Sequence, residues 1–127
     1  PLSLLYDDYL WGVLPHQQDH IFPQALFSKD NPTFASFSLE QQNRYLALRD
    51  RIGNLELLLD AENNEKRAKP FETWLRSRDK SFRSRHLIPA DDELLKFENF
   101  EGFIQDREAL IAARLKKIIT PEQPVQV

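Results

Sequence analysis

Cysteine and methionine are absent from the 127 residues, glycine occurs three times, and no apolar run extends beyond a few residues. The missing cysteines exclude a disulfide framework, a zinc ribbon and thiol chemistry, so any metal ion must be held by oxygen or imidazole. The short apolar runs exclude a transmembrane helix. The opening stretch from Pro1 to Pro15 carries Asp7 and Asp8 and no basic start, which argues against a secretory signal. A chain that opens on proline and holds no methionine is expected to be a piece of a longer protein. What is present suffices for folding: 41% hydrophobic and 29% charged residues describe one soluble domain with one core.

The net charge of −3 hides a strong asymmetry. Between Glu65 and His86 lie Lys66, Arg67, Lys69, Arg76, Arg78, Lys80, Arg83 and Arg85 against only Glu65, Glu72 and Asp79. Such a block, interleaved with Phe71, Trp74 and Phe82, reads either as an electrostatic footprint for phosphate or as a solvated helix face with core aromatics. On charge alone the solvated face is the better account, with Phe71 and Trp74 assigned to packing.

The pattern predicts a mostly helical α+β fold with two strands. Gln17 to Phe22 is one strand candidate and Asn54 to Leu59 the other. Ser38 followed by Gln41 opens a helix over about 39–51, stopped by Gly53. Asp60 is expected to cap a helix to Ala68, and Pro70 to open another carrying Phe71, Trp74 and Leu75. A loop is predicted over 81–89, then a short helix from Asp91 and Asp92. Asn99 is expected to cap a long helix with an apolar stripe of Phe100, Phe103, Ile104, Ile111, Leu115 and Ile118, ending at Thr120-Pro121. The tail beyond is expected to be mobile.

Asp19 and His20 stand side by side at the end of the first strand, where neighbours point to opposite faces. One arrangement that uses both has the carboxylate reach a metal on one side while the imidazole addresses a water on the other. Downstream, Asn63 lies nine residues after Asn54, and Lys66 follows three later on the same helix face, so that both are placed to meet one phosphate.

The ordered set Asp19-His20-x-x-Pro23, Asn54 and Asn63, on strand, strand and helix, resembles the HNH or His-Me finger endonucleases, whose ββα-metal core cuts phosphodiester bonds. The nine-residue step and the following lysine are similar to the HNH domain of RNA-guided nucleases. Over about 16–118, with His20-Ile21-Phe22-Pro23, Arg51-Ile52-Gly53-Asn54-Leu55, Asn63-x-x-Lys66 and Lys69-Pro70-Phe71, the chain resembles the C-terminal nuclease domain of GmrSD-type modification-dependent restriction enzymes.

The resemblance implies an α+β fold around a two-stranded antiparallel sheet. It places a lead-in at 1–15, an HNH domain at 16–120 with a ββα core over 16–68 and a helical extension over 70–119, and a tail at 121–127. It implies that His20 is the general base, that Asn54 holds the loop that orients it, and that Asp19 and Asn63 ligate one Mg²⁺, replaceable by Mn²⁺, with no zinc. Lys66 is implied as a catalytic or phosphate contact, and Arg67, Lys69, Arg83, Arg85 and His86 are candidate substrate contacts. DNA is the expected partner, with a nucleotide-hydrolysing or sensor domain in the same protein, in a bacterial cytoplasmic restriction or phage-defence setting. A departure is the helix inserted between His20 and Asn54. The rival expectation is a non-catalytic nucleic-acid-binding or docking module of the same shape. Asn64 competes with Asn63, and His16 is read as a bystander.

Overall fold

The computed structural model describes residues 16–119; the expected lead-in, the helix end at Thr120-Pro121 and the tail lie outside the described residues. The architecture is α+β and mostly helical. In chain order it runs β1 (His16–His20), α1 (Pro32–Ser36), α2 (Leu39–Leu48), β2 (Leu55–Leu59), α3 (Asp60–Ala68), α4 (Phe71–Arg76), α5 (Lys80–Arg85) and α6 (Phe100–Ile119), with 3₁₀ turns between several of them. The two strands pair antiparallel although α1 and α2 intervene in the chain, with His16 opposite Leu59 and His20 opposite Leu55. α3 leaves β2 directly and covers the sheet face that carries Gln17 and Asp19.

Both strand and helix boundaries near the candidate site are set by one side chain. β1 stops at His20, two residues short of expectation, because the N–H and the carbonyl of Phe22 are taken by the Asn54 amide at 2.8 and 3.1 Å instead of by a strand. α2 begins as expected, with the Ser38 hydroxyl accepting from the Gln41 N–H at 3.1 Å, but ends at Leu48. The Arg49 carbonyl, which a longer helix would use internally, accepts instead from the Asn54 amide at 2.8 Å.

Three local expectations are corrected. Asp60 is the first residue of α3 and not its cap; the Leu59 N–H donates to the Glu62 carboxylate at 2.9 Å and closes that end. Residues 80–85 form α5 and not a loop: Asp79 caps it by accepting from the Phe82 N–H at 2.8 Å, and the Phe82 ring meets Trp74 edge-on at 5.6 Å. Six residues are too few for periodicity to announce a helix, and tertiary packing of Phe82 decides it. Asn99 does not cap α6; its N–H donates to the Lys96 carbonyl at 2.9 Å, closing the 3₁₀ turn over Phe97–Asn99, and its side-chain amide donates back to the Glu93 carbonyl at 2.7 Å.

The core is aromatic. Phe22 lies fully buried among Phe71, Phe97, Phe100 and Phe103, with ring centroids 4.8–6.1 Å away. Burial of one such ring contributes roughly 1.5–3 kcal/mol. Trp74 is fully buried and Phe71 half-buried, consistent with packing in place of an exposed stacking surface. The inserted segment adds Phe27, Phe34 and Tyr45, and the Tyr45 hydroxyl donates to the Phe97 carbonyl at 2.9 Å. On α6 the stripe is buried from Phe100 to Ile111, while Ile118 is exposed. Arg107 sits fully buried within it, donating to the carbonyls of His86 at 3.0 and 3.1 Å and of Ile52 at 2.8 Å. No helix among the described residues is long and apolar enough to cross a membrane.

Candidate functional site

Asn54 is the fixed point of the site. Its amide is fully buried and joins the chain that leaves β1, at Phe22, to the chain that leaves α2, at Arg49. The backbone repeats the link, since the Ile21 N–H donates to the Asn54 carbonyl at 2.8 Å. His20 therefore emerges from a segment held immediately after it by three hydrogen bonds to one residue, and two residues later by the packed ring of Phe22.

Strand alternation separates Asp19 from His20. Asp19 faces α3 and pairs with the Lys66 ammonium, which also donates to the His20 carbonyl at 2.5 Å. Lys66 is buried, and its charge lies 5.6 and 5.4 Å from the centres of the Phe71 and Trp74 rings. One helical turn earlier, the buried Asn63 donates from its amide to the Gln17 side-chain oxygen at 2.7 Å. Asn63 on Gln17 and Lys66 on Asp19 thus form two successive rungs between α3 and β1. The expected pair of ligands, Asp19 and Asn63, shares the β1–α3 boundary but makes no mutual hydrogen bond among the described residues; each is engaged by another side chain.

His20 projects the other way, where its Nε2 lies 2.8 Å from an Asp50 carboxylate oxygen. The Arg49 guanidinium contacts both oxygens of Asp50, at 3.2 and 3.1 Å. Those hydrogen bonds, and next the one from His20, hold the exposed Asp50 carboxyl at about 2, below its ordinary 3.8.

Opposite Asp19 on β2 stands Glu56, fully buried, with no hydrogen bond to either carboxylate oxygen among the described residues. Burial drives its carboxyl up to about 7, Lys66 opposing and Asp19 reinforcing the rise. The His86 Nδ1 lies 3.7 Å away. Burial, then the charges of Arg107 and Arg85, hold that imidazole at about 3. His86 is fully buried, its ring packed 4.1 Å from that of Phe82, so the ring lies in the interior and not among the exposed basic side chains.

The basic block divides. Arg67 and Lys69 are exposed, Lys69 pairing with Glu65 at 3.1 Å. Arg83 is drawn onto Asp92 at 2.8 Å and Arg78 onto Glu65 at 2.9 Å, with Arg85 half-buried. The block is therefore in part an internal network of ion pairs, with Lys66 its buried member.

Sequence reasoning missed Asp50, Glu56 and Gln17. Asp50 stands between two arginines and reads as ordinary surface charge. Glu56 sits in an otherwise leucine-rich strand, apolar on both faces, so alternation could not tell which face α3 would cover. Among the described residues no cluster of three or more His, Asp or Glu side chains is arranged to hold a metal. No protein-family model matches the chain, and no curated protein shows significant similarity to it.

Proposed function

We propose that the chain is a metal-dependent endonuclease domain of the HNH, or His-Me finger, type, hydrolysing phosphodiester bonds of DNA. The reading is carried by the buried Asn54 amide, which ties the segment after His20 to the segment that precedes β2, in a β1–β2–α3 unit. That is the work the resemblance gives to the middle asparagine, and it is a demanding role for an ordinary turn residue: a fully buried amide with two hydrogen bonds to backbone 32 residues away at Phe22 and one to the nearby Arg49 carbonyl.

The donor set at the β1–α3 boundary suits a hard divalent cation. The Asp19 carboxylate and the His20 carbonyl already share one positive charge, the Lys66 ammonium, and the Asn63 side chain adds amide chemistry one turn away. Asp19 and Asn63 would hold Mg²⁺ or Mn²⁺. Such an ion supplies Lewis-acid stabilisation of charge on the scissile phosphate and on the departing 3′ oxygen.

The chain's own residues do the rest. A neutral His20 takes a proton from water, whose oxygen attacks phosphorus as the bond to the 3′ oxygen breaks; that oxygen leaves with a proton from solvent. A positioned base contributes roughly 10²–10⁴ in rate. Arg67 and Lys69, exposed at the end of α3, supply charge toward the nucleic-acid backbone without reading bases. We place the domain as the DNA-cutting effector of a bacterial cytoplasmic restriction or phage-defence protein, governed by a nucleotide-hydrolysing or sensor domain in the same polypeptide.

One observation favours the rival reading, a binding or docking module without turnover: Asp19 and Asn63 are both engaged by protein side chains. Nicking of supercoiled plasmid by the full-length protein with Mg²⁺ or Mn²⁺ decides between them. The nuclease reading expects nicking that disappears in His20→Ala; plasmid binding without any nicking establishes the docking module.

A further inference from the structure

We infer that Asp50 is the positioning residue for His20, holding the imidazole in the tautomer that leaves Nδ1 bare to take a proton. The inference rests on the nuclease reading for its consequence, and on geometry for its substance. His20 Nε2 and Asp50 Oδ1 are 2.8 Å apart, so a neutral ring donates its Nε2 proton to the carboxylate and keeps the lone pair of Nδ1 free.

The platform beneath Asp50 is built. The Arg49 carbonyl is bound by the Asn54 amide, and the Asn54 N–H donates to the Arg51 carbonyl at 2.8 Å. The Arg51 guanidinium grips the Glu108 carboxylate at 2.6 and 3.0 Å, and the Gly53 N–H donates to the same carboxylate at 3.2 Å. A side chain at Gly53 would place its Cβ 2.8 Å from the Glu108 Cγ, so any larger residue there would have to displace the Glu108 side chain from this close approach. Arg107 binds the Ile52 carbonyl from below. Residues 49–54 are thus fastened to α6 and to the exit of β1 together, and Asp50 and His20 inherit a fixed separation through the single amide of Asn54.

The chemistry follows. As water yields its proton to Nδ1 the ring becomes an imidazolium, and the Asp50 carboxylate opposite Nε2 offsets the new charge. Arg49 keeps Asp50 ionised and turned toward the ring without reaching it. The groups facing His20 are then one carboxylate at its side chain and one ammonium, Lys66, at its carbonyl. Because the Asp50 side chain is largely exposed, its removal leaves no buried group stranded and costs little stability, and a catalytic effect is separable from a structural one.

The test compares the wild-type full-length protein with Asp50→Ala, Asp50→Glu and His20→Ala. ¹⁵N NMR of the imidazole is expected to show the Nε2-protonated tautomer in the wild type, a mixture in Asp50→Ala, and recovery in Asp50→Glu. Nicking is expected to fall about tenfold to a hundredfold in kcat for Asp50→Ala with KM and melting temperature unchanged, within the range that a positioned base supplies. Asp50→Glu is expected to recover most of it. An unchanged His20 tautomer in Asp50→Ala overturns the positioning role, and so does undiminished kcat while His20→Ala is inactive. A wild type that never nicks overturns the nuclease reading, while the tautomer still decides whether Asp50 sets the ring.

Discussion

The Lys66 ammonium occupies the space between the Asp19 carboxylate and the His20 carbonyl oxygen, bonding to both from one helical turn beyond Asn63. One protein cation thereby neutralises the same oxygens that the nuclease reading assigns to, or places beside, a metal. On that reading a divalent ion would compete with Lys66 for Asp19.

That competition is measurable. Lys66→Met removes the ammonium and leaves a largely buried carboxylate uncompensated, which is expected to cost about 3 kcal/mol in urea unfolding without metal, the lower end for a broken buried pair because Asp19 retains some exposure. Mn²⁺ is expected to restore much of that loss and to bind more tightly to Lys66→Met than to the wild type in calorimetry. Equal Mn²⁺ affinity in the two proteins refutes the competition.

Asn54→Ala is expected to lower stability by about 3 kcal/mol or more, since it strands the N–H and carbonyl of Phe22 and the carbonyl of Arg49 in the interior, each unsatisfied buried group costing about 1–3 kcal/mol. Asn54→Asp keeps the acceptor for the Phe22 N–H but sets a carboxylate against two carbonyls, and is expected to be no better. Chemical denaturation of both variants checks this. A loss below about 1 kcal/mol in Asn54→Ala contradicts the central place given to the amide.

Stability should depend on pH through two buried groups of opposite sign. Glu56 titrates near 7 in the fold against an ordinary 4.5, so the folded protein holds its proton longer; its contribution is full below about 4.5 and declines as pH rises to about 7. His86 titrates near 3 against 6.5, so its contribution is full above about 6.5 and declines as pH falls toward 3. Between about 4.5 and 6.5 the two slopes oppose each other. Glu56→Gln is expected to remove the first slope, so that the variant gains on the wild type as pH rises from about 4.5 to 7. Parallel stability curves for the two proteins across that window contradict the assignment.

Arg67→Ala with Lys69→Ala is expected to weaken DNA binding and to reduce the slope of log K against log salt by about 1–2, since each phosphate contact contributes about 0.9. Arg83→Ala is expected to leave the slope nearly unchanged, because the Arg83 side chain is little exposed where that of Lys69, although also paired, lies open to solvent. Fluorescence anisotropy over a salt series distinguishes the two, and an equal fall in slope for Arg83→Ala argues against the division of the basic block.

Much of the frame is legible in the residues alone. Ser38 with Gln41, the apolar run into Leu59, and the stripe from Phe100 to Ile111 each carry a local signal: a cap, a strand-length apolar run, a helical period. Such signals act within a few residues and need no distant partner. The expectation that Gln17–Phe22 and Asn54–Leu59 belong to one sheet also holds in outline, as β1 and β2 pair antiparallel.

What tertiary structure alone decided lies at the junctions. No local rule ends β1 at His20 or α2 at Leu48; the Asn54 amide does both, by taking Phe22 and Arg49 from opposite sides of the inserted helices. Nor does spacing reveal that Asp50 meets His20, that Glu56 is walled in beside His86, or that Lys66 reaches Asp19. These are meetings of side chains brought together by the closure of long loops around a phenylalanine core. Periodicity tells which face of an element is apolar; which polar groups are drawn into that face, and against which partners their charge is settled, depends on packing that only the folded chain creates.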